Sequence, residues 1–108
     1  MNNKAYIPLY DWIRQDKRIN NLEEYTLLCC YIKKYKDYGL IIASDTKDSE
    51  ILMINRKYVK SKREHLKELN YINYEIEKGK PIEIRLNPWV IEKIGKYVKD
   101  KSNGEINK

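Results

Sequence analysis

Phenylalanine is absent from this 108-residue chain, and glycine, proline, cysteine and histidine are scarce, at four, three, two and one. Each scarcity excludes something. With one histidine and two cysteines that are neighbours in sequence, Cys29 and Cys30, no residue set has metal-ligand spacing, and the thiols cannot staple distant parts of a fold. They are expected to be reduced, at least one of them buried as a small hydrophobe. Four glycines supply no Gly-rich phosphate loop, and no nucleophile-base pair stands out, so no enzymatic activity, cofactor or metal is expected. Long apolar runs are missing too: none approaches the roughly 18 to 20 residues that cross a bilayer, and the amino terminus, MNNKAYIPLY, lacks the apolar segment of a signal peptide. A soluble, cytoplasmic protein is expected.

What is abundant is lysine, isoleucine, asparagine and tyrosine, at 17, 15, 10 and 10 residues. All four have A/T-rich codons, so the tyrosines read as replacements for phenylalanine in core and boundary rather than as a base-stacking surface. Lysine and arginine number 22 against 16 acidic residues, a net charge of +6, which favours a polyanionic partner. The excess is concentrated. From Arg56 to Leu69 six basic residues (Arg56, Lys57, Lys60, Lys62, Arg63, Lys67) face Glu64 and Glu68, a local net of +4.

The length suits one small domain, expected over residues 1–99, with residues 100–108 as a frayed polar tail. Pro8, at a first helical position, precedes Leu9, Trp12 and Ile13 at helical spacing and predicts a short helix. A longer one follows: Asn21 caps, Glu24 stands three residues on, Tyr25, Leu28, Cys29, Ile32 and Tyr35 follow a 3.6-residue period, and Gly39 stops it. Leu40 to Ile42 suggest a short strand, and with Ser44 or Asp45 as cap a brief helix is expected over Ser49 to Met53, with Ile51 and Leu52 inward. After a turn, Asn55 caps the helix RKYVKSKREHLKEL, whose core side carries Val59, Leu66 and Leu69, and Asn70 terminates it. Two alternating runs, YINYEIE and PIEIRLN, predict a β-hairpin centred on Gly79, because only an odd-length loop keeps Ile72, Tyr74 and Ile76 on the same face as Leu86, Ile84 and Ile82. Pro88 opens a last helix through Trp89, Ile91, Ile94 and Val98.

This order of parts resembles the winged helix-turn-helix superfamily over roughly Leu9 to Lys99. The resemblance is carried by the turn INR before the third helix, by HLKELNYI at its end, and by the wing NYEIEKGKPIEIRLN. Asn70 and Tyr71 stand where the family commonly has glycine, and asparagine also tolerates positive φ. The resemblance implies an α+β fold: a three-helix core with a two-stranded β-hairpin wing, plus extra N- and C-terminal helices. It also implies double-stranded DNA as partner.

With residues placed about 100° apart, Lys57, Lys60, Ser61, Glu64 and Glu68 point away from the Val59 side, so the outward face is basic first and acidic later. A helix entering a major groove amino end first has that polarity, whereas a merely solvated helix would intermix the signs. Asn55, Lys57, Lys60 and Ser61 are candidates for base edges or nearby phosphates, and Arg56 and Lys62 for phosphates. Arg63 lies nearer the core; Tyr58 either reaches a phosphate or packs at the boundary; His65 reads as a partly exposed helix residue. At the hairpin tip Lys78, Gly79 and Lys80 suit groove phosphates, and Asn73 and Arg85, on the face opposite the apolar one, could meet base edges or a narrow groove. Whether helix or wing dominates stays open. So does an acidic protein partner for the same helix.

One such module buries little DNA, and the apolar terminal residues exceed what a small core needs, so a homodimer through one or both terminal segments is expected. Layout and composition together resemble the small plasmid-borne proteins of low-GC Gram-positive bacteria that mark an origin of transfer for the conjugative relaxase. The implied function is to bind repeated boxes at that origin and recruit the relaxase, without chemistry of its own. A small transcriptional repressor, or an accessory protein at the replication origin of a plasmid or phage, is the alternative.

Overall fold

The computed structural model describes residues 10–19 and 21–97; Pro8, Leu9 and Val98, and the expected tail at 100–108, lie outside them. The described residues form an α+β domain of five helices and a three-stranded antiparallel sheet, in the order α1 (Asp11–Arg14), α2 (Leu22–Tyr38), β1 (Ile41–Ala43), α3 (Asp45–Leu52), α4 (Arg56–Glu68), β2 (Ile72–Asn73), β3 (Ile82–Leu86) and α5 (Pro88–Ile94). No described helix is long and apolar enough to cross a membrane.

The centre of the domain is α2. Its start is fixed as the sequence predicts, by the Asn21 side chain accepting the Glu24 backbone N–H at 2.7 Å, and its end by Gly39 at φ 73°. From Leu27 to Ile32 every residue is buried, because α3, α4 and β1 all pack on it. Its apolar surface is thus wider than the one stripe expected. Cys29 and Cys30 are free and buried; burial pushes both thiols up, Cys30 to about 11 with the nearby Asp48 carboxylate adding to the effect, so neither is a ready nucleophile.

The brief helix expected over Ser49–Met53 instead runs Asp45–Leu52. Ser44 is its cap, accepting the Lys47 N–H at 3.2 Å. The missing first turn turns inward with a carboxylate rather than a hydrophobe: Asp48 is 1% exposed, which hides the helical period from an apolar reading. Of the two residues expected inward, Leu52 is buried and Ile51 is 46% exposed. Met53 takes the left-handed conformation that turns the chain into α4, and Asn70, at φ 69°, ends α4 as expected.

The hairpin keeps its predicted register where it pairs, Ile72 opposite Leu86 and Asn73 opposite Arg85, but pairing stops there. Tyr74 uses its backbone elsewhere: its N–H donates to the Asn73 side chain at 3.0 Å and its carbonyl accepts Lys67 Nζ at 2.9 Å. Tyr74 and Ile84 are buried, yet the expected Ile76–Ile82 pair does not form, and Ile76 is 70% exposed. The other half of β3 is taken by β1, which sets Ile41 opposite Ile84 and Ala43 opposite Ile82. The short strand expected over Leu40 to Ile42 thus joins the two hairpin strands in one three-stranded sheet, in the order β1-β3-β2.

The terminal segments close the core. Ile13 and Val90 are fully buried; Trp12 stacks on Tyr71 with centroids 6.3 Å apart and meets the Trp89 ring edge-on at 5.9 Å. Tyr25 Oη accepts the Tyr10 N–H at 3.0 Å, and Lys36 donates to the Ile94 carbonyl at 3.0 Å. An interface between copies was expected from Leu9, Trp12, Ile13, Trp89, Ile91, Ile94 and Val98; packing on the domain itself takes up Trp12, Ile13, Ile91 and Ile94, while Trp89 stays 37% exposed and Leu9 and Val98 lie outside the described residues.

One anchor of this layer responds to pH. Asp16 accepts the Tyr71 hydroxyl at 2.7 Å and pairs with Arg18 at 2.8 Å. The hydrogen bond from Arg18 holds its carboxyl far below the usual carboxylate range; partial burial opposes and Tyr71 assists. A carboxyl whose pKa falls on folding contributes stability above its unfolded value, about 3.9, and loses it as pH drops toward the folded one. Asp16→Asn should therefore unfold in less urea than the wild type at neutral pH, the gap narrowing as pH falls from about 5 toward 2.

Candidate nucleic-acid interface

The α4 helix starts because Asn55 accepts the Lys57 N–H at 3.0 Å, and it is oriented by Val59 and Leu66, which are fully buried. Those two residues force the rest of its first half outward. Asn55, Arg56, Lys57, Lys60 and Ser61 are all exposed, and Lys62 is half-buried. Asn55, Arg56, Lys57 and Lys60 line one surface cleft of about 380 Å3 together with Asp45 from α3. Asp45 pairs with Arg63 at 2.9 Å and not with the cations of the cleft, and because Arg63 is shared with Asp48 its charge is only partly offset, leaving three cations against one carboxylate. None of Arg56, Lys57, Lys60 or Lys62 is in an ion pair among the described residues. Arg56 is steadied by a bond to the Thr46 hydroxyl at 3.2 Å, Lys57 Nζ sits 5.4 Å from the Tyr58 ring centre, and the Ser61 hydroxyl donates to the Tyr58 carbonyl at 3.1 Å. Tyr58 itself is 53% exposed.

Arg63, on the core side, is 2% exposed and ties three helices together. It donates to the Tyr31 hydroxyl of α2 at 3.1 Å and pairs with Asp45 and Asp48 of α3 at 2.9 and 3.3 Å; Tyr31 in turn donates to Asp48 at 2.8 Å. Burial works against the guanidinium charge, but Tyr31 and Asp45 outweigh it and push its pKa further up. Burial and the Asp48 carboxylate likewise push the Tyr31 hydroxyl up. Arg63 thus stays charged and Tyr31 protonated, fixing α4 against α3. Of the six basic residues between Arg56 and Leu69, Arg63 and Lys67 are spent on the fold, and the four without an ion pair among the described residues lie in the amino-terminal half.

The hairpin is different in charge. Asn73 and Arg85 are paired across the strands and exposed, as expected, and Gly79, at φ 77°, sits at a tip closed by the Lys80 N–H donating to the Glu77 carbonyl at 3.1 Å. Lys80 is 3.2 Å from the Glu77 carboxylate, and Arg85 shares a shallow cleft with Glu75, Glu77, Glu83, Lys80 and Pro81. From Asn73 to Arg85 three cations meet three carboxylates, so this face has no net charge.

No protein-family model, curated protein or solved structure matches this chain. The site rests on its own geometry.

Two of its parts are not visible in the sequence. Asp45 lines the cleft and Thr46 holds Arg56 there because α3 begins earlier than its apolar period suggests. His65 is the partly exposed helix residue expected, but it also bonds through Nδ1 to Glu24 Oε2 at 2.5 Å, while Glu24 Oε1 is buried with no hydrogen-bond partner. Glu24 is thereby both part of the α2 cap and a link between α2 and α4. No group of His, Cys, Asp and Glu among the described residues is placed to hold a metal.

Proposed function

We propose that this chain is a winged helix-turn-helix protein that binds double-stranded DNA in a sequence-specific way through the amino-terminal half of α4. The observation that carries the reading is the cleft of Arg56, Lys57 and Lys60 with Asn55: three cations and one amide, exposed, free of carboxylate partners, on a helix braced from behind by Arg63. Cations without internal partners are what phosphates attract, and Asn55 and Ser61 add groups able to meet base edges. The order α2-β1-α3-α4-β2-β3 with β3 central in the sheet supports the winged helix layout. The wing is the lesser contact, since its charge is balanced. Lys78→Ala with Lys80→Ala should weaken binding less than changes in the cleft, and lower the salt slope by roughly one unit for each phosphate the two lysines hold. An unchanged slope takes the wing out of the interface.

Within that function we place the protein at the transfer origin of a mobile element, where two copies on repeated boxes would recruit the relaxase. A transcriptional repressor or replication accessory protein would use the same surface on other sites. Binding to tiled duplexes from the DNA element that encodes the protein, with excess nonspecific competitor at near-physiological salt, tests the function and its setting together. One preferred tile beside a nicking site is the expected result, and a preferred tile at a promoter or replication origin selects the alternative. Uniform, salt-sensitive binding to all tiles would refute specificity and favour an acidic protein partner for the helix.

A further inference from the structure

The sheet ends in β1, and among the described residues no strand pairs with the outer side of that strand. β1 pairs only with β3, and no other hydrogen bond reaches Leu40 to Ala43 among the described residues. From Tyr38 to Ser44 the chain reads YGLIIAS, seven uncharged residues in a protein where 35% are charged. Tyr38, Leu40 and Ile42 are 71, 48 and 41% exposed. Soluble proteins guard an edge strand with lysine, proline, a bulge or a covering segment, and β1 shows none of these among the described residues.

We propose that β1 pairs antiparallel with β1 of a second copy of this chain, joining two three-stranded sheets into one of six strands. A second copy fits this edge because antiparallel pairing about a two-fold axis is self-complementary: each strand offers the donors and acceptors the other lacks. Alternation supplies the side-chain match. In a register centred on Ile41, Leu40 of each copy stands opposite Ile42 of the other on the same exposed face, so the two aliphatic residues cover each other. Charge points the same way. Two chains of net charge +6 repel, and this uncharged stretch is where approach costs least. An interface of so few residues falls below the standard size of about 800 Å2 per partner, so association belongs in the micromolar range or weaker. Such pairing gives a route to the two copies of the DNA-binding reading but does not depend on that reading, because the dimer forms on free protein.

Sedimentation equilibrium of the full chain without DNA, from micromolar to millimolar concentration, tests it. The mass should climb from 13.1 kDa toward twice that value. Ile42→Lys and Leu40→Lys, each at an exposed position and each checked for an unchanged circular dichroism spectrum, should weaken the dimer at least about tenfold. Leu22→Lys, at the opposite end of α2 from β1, should leave it as tight as before. A chain that stays monomeric across the range overturns the proposal, as does a dimer indifferent to both edge lysines. Neither result touches DNA binding, which is read separately on the tiles.

Discussion

Arg63→Met is expected to lower the free energy of unfolding by about 3 to 5 kcal/mol, the cost typical of breaking a buried ion pair from one side. The reason lies in what stays behind. Asp48 is 1% exposed, and without Arg63 its carboxylate keeps only the Tyr31 hydroxyl, at 2.8 Å, as partner. Asp45 is less affected, since its side chain is 32% exposed and can turn to water. Domains of this size are stable by only about 5 to 15 kcal/mol, so the variant should unfold at much lower urea and sit close to the edge of folding at physiological temperature. The triple variant Arg63→Met, Asp48→Leu and Tyr31→Phe removes the stranded charge together with the Tyr31 hydroxyl that bonds both partners, and should recover most of the loss, because apolar replacement of a whole buried network is often neutral. Urea unfolding followed by circular dichroism reads both. If the single variant loses less than about 1 kcal/mol, the network does not brace α4 against its neighbours.

Lys57→Ala with Lys60→Ala should weaken binding to the preferred tile by about tenfold or more and reduce the slope of log affinity against log salt by roughly two units. Both residues are exposed and outside the core, so the fold should be unaffected. Affinity within about twofold of wild type would rule out α4 as the DNA-contacting helix. The asparagine at the helix start is a different case, because Asn55 caps α4 as well as facing the cleft. Asn55→Asp keeps a capping side chain but brings a negative charge, so it should leave thermal stability near wild type while weakening DNA binding.

Much of this fold is legible in the sequence wherever local chemistry decides. Asn21 and Asn55 start their helices and Gly39 and Asn70 end them as read, because a cap or a left-handed terminator depends on the residue itself and its immediate neighbours. The register of β2 against β3 follows from alternation alone. What escapes is what depends on distant partners. The first turn of α3 is invisible to a search for apolar periods, since its inward residue is Asp48 and its counter-charge lies fifteen residues away on α4. Ile76 continues an alternating run and so reads as core, but Lys67 and Asn73 take the backbone of Tyr74 and end the ladder early. The clustering of basic residues around Asn55 is readable, as is the inward turn of Arg63. Which cations stay free depends on the ion pairs of the fold. The charge balance of the hairpin can be counted in advance from Glu75, Glu77 and Glu83.

The division of β3 between two short neighbours bears on how the hairpin could meet a ligand. Beyond Asn73 the strands no longer share a ladder, and among the described residues 75–81 the hydrogen bonding is confined to the Glu77–Lys80 turn. A tip held that loosely keeps backbone conformational entropy that a full ladder would already have surrendered, of the order of 1 kcal/mol per residue. Gripping a groove would require giving it up at the moment of binding, which offsets part of what Lys78 and Lys80 gain from phosphates. In return such a tip could adjust to grooves of different width, while α4 stays fixed from behind by Arg63.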